Sequence, residues 1–201
     1  MTGPRLLAAI ALAIGIMTAA IMASISPLDT AAHALVRWTA RTSLVLFALA
    51  YAARPLVQLW PRPQTKRLLA ERKWLGLGFA VSHAAHLAGI IAIASPDVGA
   101  FVRAQPPTNA VAALTFLLIF AMAITSIEAV KRRMPASAWK RLHRTGMHFA
   151  WLSFAATYVG AVGRSPLYLV PAVIVVGVGV LRLAAFVRIT VRASRSRPRP
   201  A

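Results

Sequence analysis

The chain has 201 residues, 59% hydrophobic and 13% charged, with a mean hydropathy of +0.68, too apolar for a soluble domain and characteristic of a polytopic membrane protein. Its 23 Lys and Arg against four acids give a formal net charge of +19, but the cations fall between apolar segments, so membrane topology accounts for them and no nucleic-acid partner is expected. The absence of cysteine excludes disulfides, thiolate iron-sulfur ligation and cysteine catalysis, and the scattered acids Asp29, Glu71, Asp97 and Glu128 give little basis for a paired-carboxylate mechanism.

Six apolar segments follow in order, roughly Leu6 to Ile25, Trp38 to Ala53, Trp74 to Ala94, Ala110 to Ile127, Leu142 to Val162 and Leu167 to Val187. Each is near the length that crosses a hydrocarbon core about 30 Å thick. The pattern predicts an all-α fold, a six-transmembrane-helix bundle. Arg5 and the small residues Ala19, Ala20 and Ala23 give the first segment some look of a signal peptide. Its apolar run is longer than a usual h-region, so a retained helix is expected.

The connections alternate in charge. Arg37, Arg41, Arg103 and Arg164 fall on one side and the other 19 cations on the opposite side. The positive-inside rule then puts both termini in the cytoplasm, with a bacterial inner (plasma) membrane as the expected location. Residues 1–188 read as one transmembrane domain. Residues 189–201 read as a basic, proline-bearing, disordered tail able to touch anionic lipid. The longest connections are about 20 residues, too short for a dinucleotide-binding unit. Gly76, Gly78, Gly177 and Gly179 lie inside apolar segments and read as close-packing positions. Pro27, Pro55, Pro96, Pro135 and Pro166 fall at or beyond segment ends, which predicts a plain bundle rather than broken helices.

Four of the five histidines sit in two of these segments. The third carries His83 and His86 in RKWLGLGFAVSHAAHLAGIIAIA, and the fifth carries His143 and His148 in WKRLHRTGMHFAWL. Imidazoles at membrane depth are rare and mark functional sites. His83 and His86, three residues apart, share a helix face, whereas His143 and His148, five apart, differ by about 140° and do not face one cavity. Counting inward from Trp74 and Leu142 puts His83 or His86 level with His148, with His143 brought in if the boundaries move by a turn. Gly146 would let a flat ring approach the backbone. Zinc favours three or four close ligands, often Cys or carboxylate, that this chain does not offer. Iron in a porphyrin needs only one or two imidazoles from the protein. The histidines therefore point to haem, one or two per chain, with His86, His143, His83 and His148 as axial candidates. Arg41 and Arg164, near the outer ends of their helices, are candidates to pair a haem propionate or to snorkel to the interface. His33, beside Asp29, reads as a solvated residue.

Three stretches resemble the ferric reductase-like transmembrane family and, within it, the YedZ/MsrQ-type haem-binding membrane subunits. They are ARTSLVLFALAYAARPL at Ala40 to Leu56, RKWLGLGFAVSHAAHL at Arg72 to Leu87, and WKRLHRTGMHFAWL at Trp139 to Leu152. The resemblance implies a six-helix bundle holding b-type haem, with His86 and His143 as the positions associated with it. Where the YedZ/MsrQ type has a further histidine about thirteen residues after the LHR histidine, this chain has Ala156.

The function expected is electron relay across the membrane, as a subunit of an oxidoreductase rather than a complete enzyme. The donor would be a cytoplasmic flavin reductase or the quinone pool, with FMN or quinone entering through that partner. The acceptor would be an outer-face redox partner or ferric iron. The rival expectation is a cofactor-free transporter or assembly factor whose histidines carry protons or a divalent ion.

Overall fold

The computed structural model describes residues 3–106 and 109–195, and among them the chain is helical with no strand. The helices are α1 (Pro4–Ser24), α2 (Leu28–Leu59), α3 (Pro63–Ala94), α4 (Val98–Ala104), α5 (Asn109–Ile124), α6 (Glu128–Lys131), α7 (Ala136–Val159) and α8 (Leu169–Arg195). Two short 3-10 turns, Val162–Arg164 and Pro166–Tyr168, lead into α8. Among the described residues four helices are long and apolar enough to cross a membrane, or five spans if α4 and α5, bent at 114°, are taken together. Exposed Leu12, Ile16, Leu117, Leu183 and Phe186 suit contact with lipid rather than water.

Each of the six apolar segments falls largely within one helix, four of them overrunning a helix end by one to three residues, and two helices begin well before their apolar runs. Starting at Leu28, α2 precedes Trp38 by most of three turns, and α3 starts at Pro63 rather than near Trp74. The reason is local. Pro63 occupies the first turn of α3, where a missing N–H is harmless. Thr65 Oγ1 accepts from the Arg62 N–H at 3.1 Å and donates to the Trp60 carbonyl at 2.7 Å. Pro55, expected at a helix end, lies inside α2, and Arg72 Nε donates to the nearby Ala50 carbonyl at 3.0 Å. With 24 residues, α7 has ample length, yet it carries Lys140, Arg141, His143, Arg144 and His148, and these polar side chains keep it out of the apolar class. Part of the tail from residue 189 continues α8 as far as Arg195, and the rest, 196–201, lies outside the described residues.

The centre of the bundle is the long antiparallel pair α2 and α3, with α1 against α3, α8 against α2 and α7, and α5 against α7 and α3. An aromatic cluster joins three helices: Phe47 of α2 lies 5.5 Å from Phe79 of α3 and 5.2 Å from Phe154 of α7, centroid to centroid. Such tilted contacts add to the burial of three large rings. Gly3 N–H donates to Glu71 Oε2 at 2.9 Å and Arg188 Nη1 to the Leu59 carbonyl at 2.6 Å. The start of α1, the α2–α3 turn and the last turns of α8 therefore share one end of the bundle. Gly78 and Gly179 are close-packing positions, where an added Cβ would lie 2.9 Å from Ile10 Cγ2 and 2.8 Å from Trp151 Cζ2. Gly76 and Gly177 are not, since nothing lies within 4 Å of a Cβ at either.

Candidate functional site

His83 and His86 lie together on α3, ring centroids 5.6 Å apart, against the buried face of α2. What fixes them is a run of hydroxyls within otherwise apolar helices. Ser82 Oγ donates to the Thr39 carbonyl at 3.1 Å, Ser43 Oγ donates to Ser82 Oγ at 2.8 Å, and His83 Nδ1 lies 2.9 Å from Ser43 Oγ. With the single proton of Ser43 committed to Ser82, His83 donates, so its hydrogen is on Nδ1. His86 Nδ1 lies 3.0 Å from the Val36 carbonyl, which only accepts, and 3.0 Å from Thr39 Oγ1, whose proton goes to the Leu35 carbonyl at 2.6 Å. Both imidazoles are therefore Nδ1–H tautomers. Thr39, Ser43 and Ser82 are fully buried.

Ring geometry turns each Nε2 away from α2, and among the described residues no hydrogen bond reaches the Nε2 of either ring. The walls there are aromatic. Phe79, Phe116 and Phe154 lie 4.6, 5.2 and 5.9 Å from the His83 ring, and Phe116 is nearly parallel to His86 at 6.0 Å.

His143 is held differently. Its Nε2 lies 3.1 Å from Thr125 Oγ1, whose proton goes to the Ala121 carbonyl at 2.7 Å, so His143 carries its hydrogen on Nε2. Its ring stacks on Trp139 at 4.0 Å, and Trp139 Nε1 donates to the Thr125 carbonyl at 3.0 Å. His148, as the 140° separation requires, faces elsewhere: Tyr51 Oη of α2 lies 3.1 Å from its Nδ1, and Arg182 of α8 covers the other part of that tyrosine, 4.5 Å from the ring centroid.

The helices do not bring these residues to the level of the α3 pair. His83 rests against Phe154, which lies about 9 Å of helix beyond His148 and about 17 Å beyond His143. Two imidazoles on one iron need ligating nitrogens roughly 4 Å apart, twice a metal–imidazole bond. The offset arises because α3 starts at Pro63 and α7 at Ala136, so depths counted from Trp74 and Leu142 do not share a zero. Gly146 is not open to a flat ring either, because Met122 of α5 packs on it, with Sδ 2.6 Å from an added Cβ. Arg41 lies 5.1 Å from the Trp38 ring, and Arg164 is exposed in the turn after α7. His33 Nε2 lies 3.6 Å from Asp29 Oδ1 on the exposed first turns of α2.

At the end of the bundle shared by Glu71, Leu59 and Arg188, a cavity of about 500 Å³ opens between α2, α3, α5, α7 and α8. Arg54, Arg72, Arg144 and Arg182 line it together with Lys73, Lys131 and Lys140. His143, Trp139 and Gly76 form part of its wall, and Phe79 and Met147 lie at the side toward His83. Among the described residues no group of three His, Asp or Glu side chains is placed to hold a bare metal ion.

The family model of the ferric reductase-like transmembrane component matches residues 37–154. The chain belongs to this family. The matched stretch runs from α2 to α7 and contains all four membrane histidines together with Thr39, Ser43 and Ser82. No curated protein and no solved structure matches the chain. Ferric reductase-like components act in membrane electron transfer and generally bind haem.

The donor set at α3 fits that group. An imidazole whose Nδ1–H is held by the protein presents Nε2 as a ligand of fixed direction, and the phenylalanine walls exclude water. His143 fits less well, because its Nε2 is engaged by Thr125. Sequence reasoning missed the α2 acceptors. Thr39 and Ser43, four residues apart in an apolar helix, were the available signal.

Proposed function

We propose that this ferric reductase-like component is an integral membrane b-type haem protein that relays electrons across the membrane, as the electron-transfer subunit of a larger oxidoreductase. The observation that carries it is the shared state of His83 and His86: both Nδ1–H groups held by α2, both Nε2 atoms turned to an aromatic wall. Bound haem supplies one-electron chemistry between ferric and ferrous iron. His86, carried by the resemblance, is the first candidate that would hold the iron, and His83, on the same face of α3, is the alternative. Ser43, Thr39 and the Val36 carbonyl orient the two rings, and Phe79, Phe116 and Phe154 keep water from them. His143 and His148 serve the basic cavity and the α2–α7 contact, so the arrangement supports one haem per chain.

In this reading α1, α2, α3, α5, α7 and α8 are six spans of a domain covering residues 1–188. The basic end faces the cytoplasm of a bacterial inner membrane, with the chain's ends on that side, and the basic last turns of α8, as far as Arg195, are available to anionic lipid. Electrons enter at the basic end from a cytoplasmic flavin reductase or the quinone pool and leave at the far end to a redox partner or ferric iron. Arg164 stands at that far end, in the turn after α7, while Arg41 lies inside α2 against Trp38; each is a candidate to pair a haem propionate or to snorkel to the interface. The rival, a cofactor-free transporter or assembly factor, is disfavoured by family membership and by two buried imidazoles locked in one tautomer rather than linked in a proton path.

The test is an absorbance spectrum of the protein purified from haem-replete cells, before and after dithionite. A Soret band that shifts, with sharp alpha bands on reduction, is expected, and His86→Ala removes most of it. A colourless folded preparation overturns the reading. So does haem content unchanged by His83→Ala and His86→Ala singly and together.

A further inference from the structure

We propose that the outward face of α8 is a dimerisation surface, on which a second copy of this chain packs its own α8 in parallel. The inference needs only that the chain is a membrane protein, and it stands apart from the haem reading.

The first argument is the spacing of what α8 shows to the outside. Its inner side, with Ala172, Val175 and Ala185 buried, packs on α2 and α7. Outward, Leu169, Val173, Val176, Val180, Leu183 and Val187 are between 48% and 62% exposed, separated by steps of four, three, four, three and four residues. This is the a/d seam of a coiled coil, with a at Val173, Val180 and Val187 and d at Leu169, Val176 and Leu183. Valine at every a with leucine at d is the combination that selects two parallel strands. Copies of one chain insert the same way round, so their α8 helices run parallel. Contact with lipid asks for apolar side chains in any order. It does not ask for this register.

The second argument is shape. Val180, Leu183, Ala184 and Val187 line a shallow groove of about 610 Å³ on the outside of α8. In a parallel pair each d side chain enters a hole made by four residues of the facing helix, at a, d, e and the next a, and these four are such a set. Leu183 of one copy thus fills the groove around Leu183 of the other, the self-complementarity that a two-fold axis demands. One heptad earlier the same hole is Val173, Val176, Gly177 and Val180. Nothing lies within 4 Å of where a Cβ on Gly177 would stand, so no contact within the chain accounts for that glycine. Small residues are what let membrane helices approach closely, and Gly177 and Ala184 occupy the e position of successive holes.

The third argument is charge and extent. No charged residue stands at a or d. Arg182 is turned inward onto Tyr51, 4.5 Å from the ring centroid, and Arg188 reaches the Leu59 carbonyl at 2.6 Å. Arg188 and Arg192, which close the groove at its basic end, fall at b and f, so pairing does not set arginines face to face. The a and d side chains of two copies bury roughly 1,000 Å² in all, the size at which a specific interface begins, before the flanking positions add theirs.

The chain has no cysteine, so single cysteines report contact without background. Val180→Cys, Leu183→Cys and Val187→Cys are oxidised with copper phenanthroline in native membranes. Ile189→Cys, exposed on α8 off the seam, and Leu12→Cys, exposed on α1, are the controls. A disulfide-linked product of twice the chain mass is expected at the three seam positions, at least tenfold above the controls. Light scattering of full-length protein in neutral detergent then reads self-association. Gly177→Leu, which fills a hole, weakens it at least tenfold, while Gly15→Leu, on an open face of α1, leaves it unchanged. Thermal unfolding of each variant confirms folding. Equal linking at seam and control positions reports random collision and overturns the proposal. So does the absence of any linked product, which leaves the face to lipid, or a product of another mass, which gives it to a different protein. Self-association that survives Gly177→Leu overturns it as well.

Discussion

Ser43 of α2 accepts the Nδ1–H of His83 of α3 at 2.9 Å, across an interface where the serine is fully buried. Removing the hydroxyl leaves the imidazole N–H facing apolar surface. Ser43→Ala is expected to cost about 1 kcal/mol, the scale of hydrogen bonds between membrane helices. If His83 ligates haem, the midpoint potential rises as well, because a ligand relieved of its hydrogen bond is a poorer electron donor to iron. Ser43→Thr keeps the hydroxyl and restores both. Redox titration and thermal unfolding of the three proteins check this.

His148 is engaged by Tyr51 and lies about 9 Å of helix short of Phe154, the α7 residue that meets His83. His148→Phe is therefore expected to leave haem content and band positions as they are, while His86→Ala lowers them. Pyridine haemochrome assays on the two variants give the comparison, and haem loss in His148→Phe would return the α7 histidine to the ligand set.

At Gly89 a Cβ would stand 2.8 Å from Val36 Cγ2 and 3.4 Å from the Ala32 carbonyl. Val36 also supplies the carbonyl that holds His86. Gly89→Ala should force α2 and α3 apart at this anchor, at a cost of about 1–3 kcal/mol typical of overpacking. Val36→Ala in the same chain should recover most of it. A thermal-unfolding cycle of the four proteins measures the coupling, and additive losses would mean that the two sites do not press on each other.

The Tyr158 hydroxyl is buried with no hydrogen-bond partner among the described residues, 6.4 Å between its ring and that of Tyr168. An orphaned polar atom is a liability, so Tyr158→Phe is expected to be neutral or to stabilise by about 1 kcal/mol. A clear destabilisation in the same unfolding assay would reveal a partner for that oxygen.

The sequence by itself determined that this is a helical membrane chain, because long apolar runs have one solution in lipid. The three-residue spacing of His83 and His86 dictated a shared face, and the five-residue spacing of His143 and His148 dictated separate ones, because helical periodicity is a local property. The family was legible in the segments around His86 and His143. Only the tertiary structure decided which groups those rings meet. Ser43 and Val36 lie 40 and 50 positions away from His83 and His86, and nothing local encodes how far α2 slides along α3. The level of His148 against His83 depended on helix starts set by Pro63 and the α7 N-terminus rather than by hydropathy. Gly76 and Gly78 look alike in sequence, yet one faces a cavity and the other packs under Ile10. Two residues of helix turn an open wall into a contact, and only the packing of neighbours says which is which.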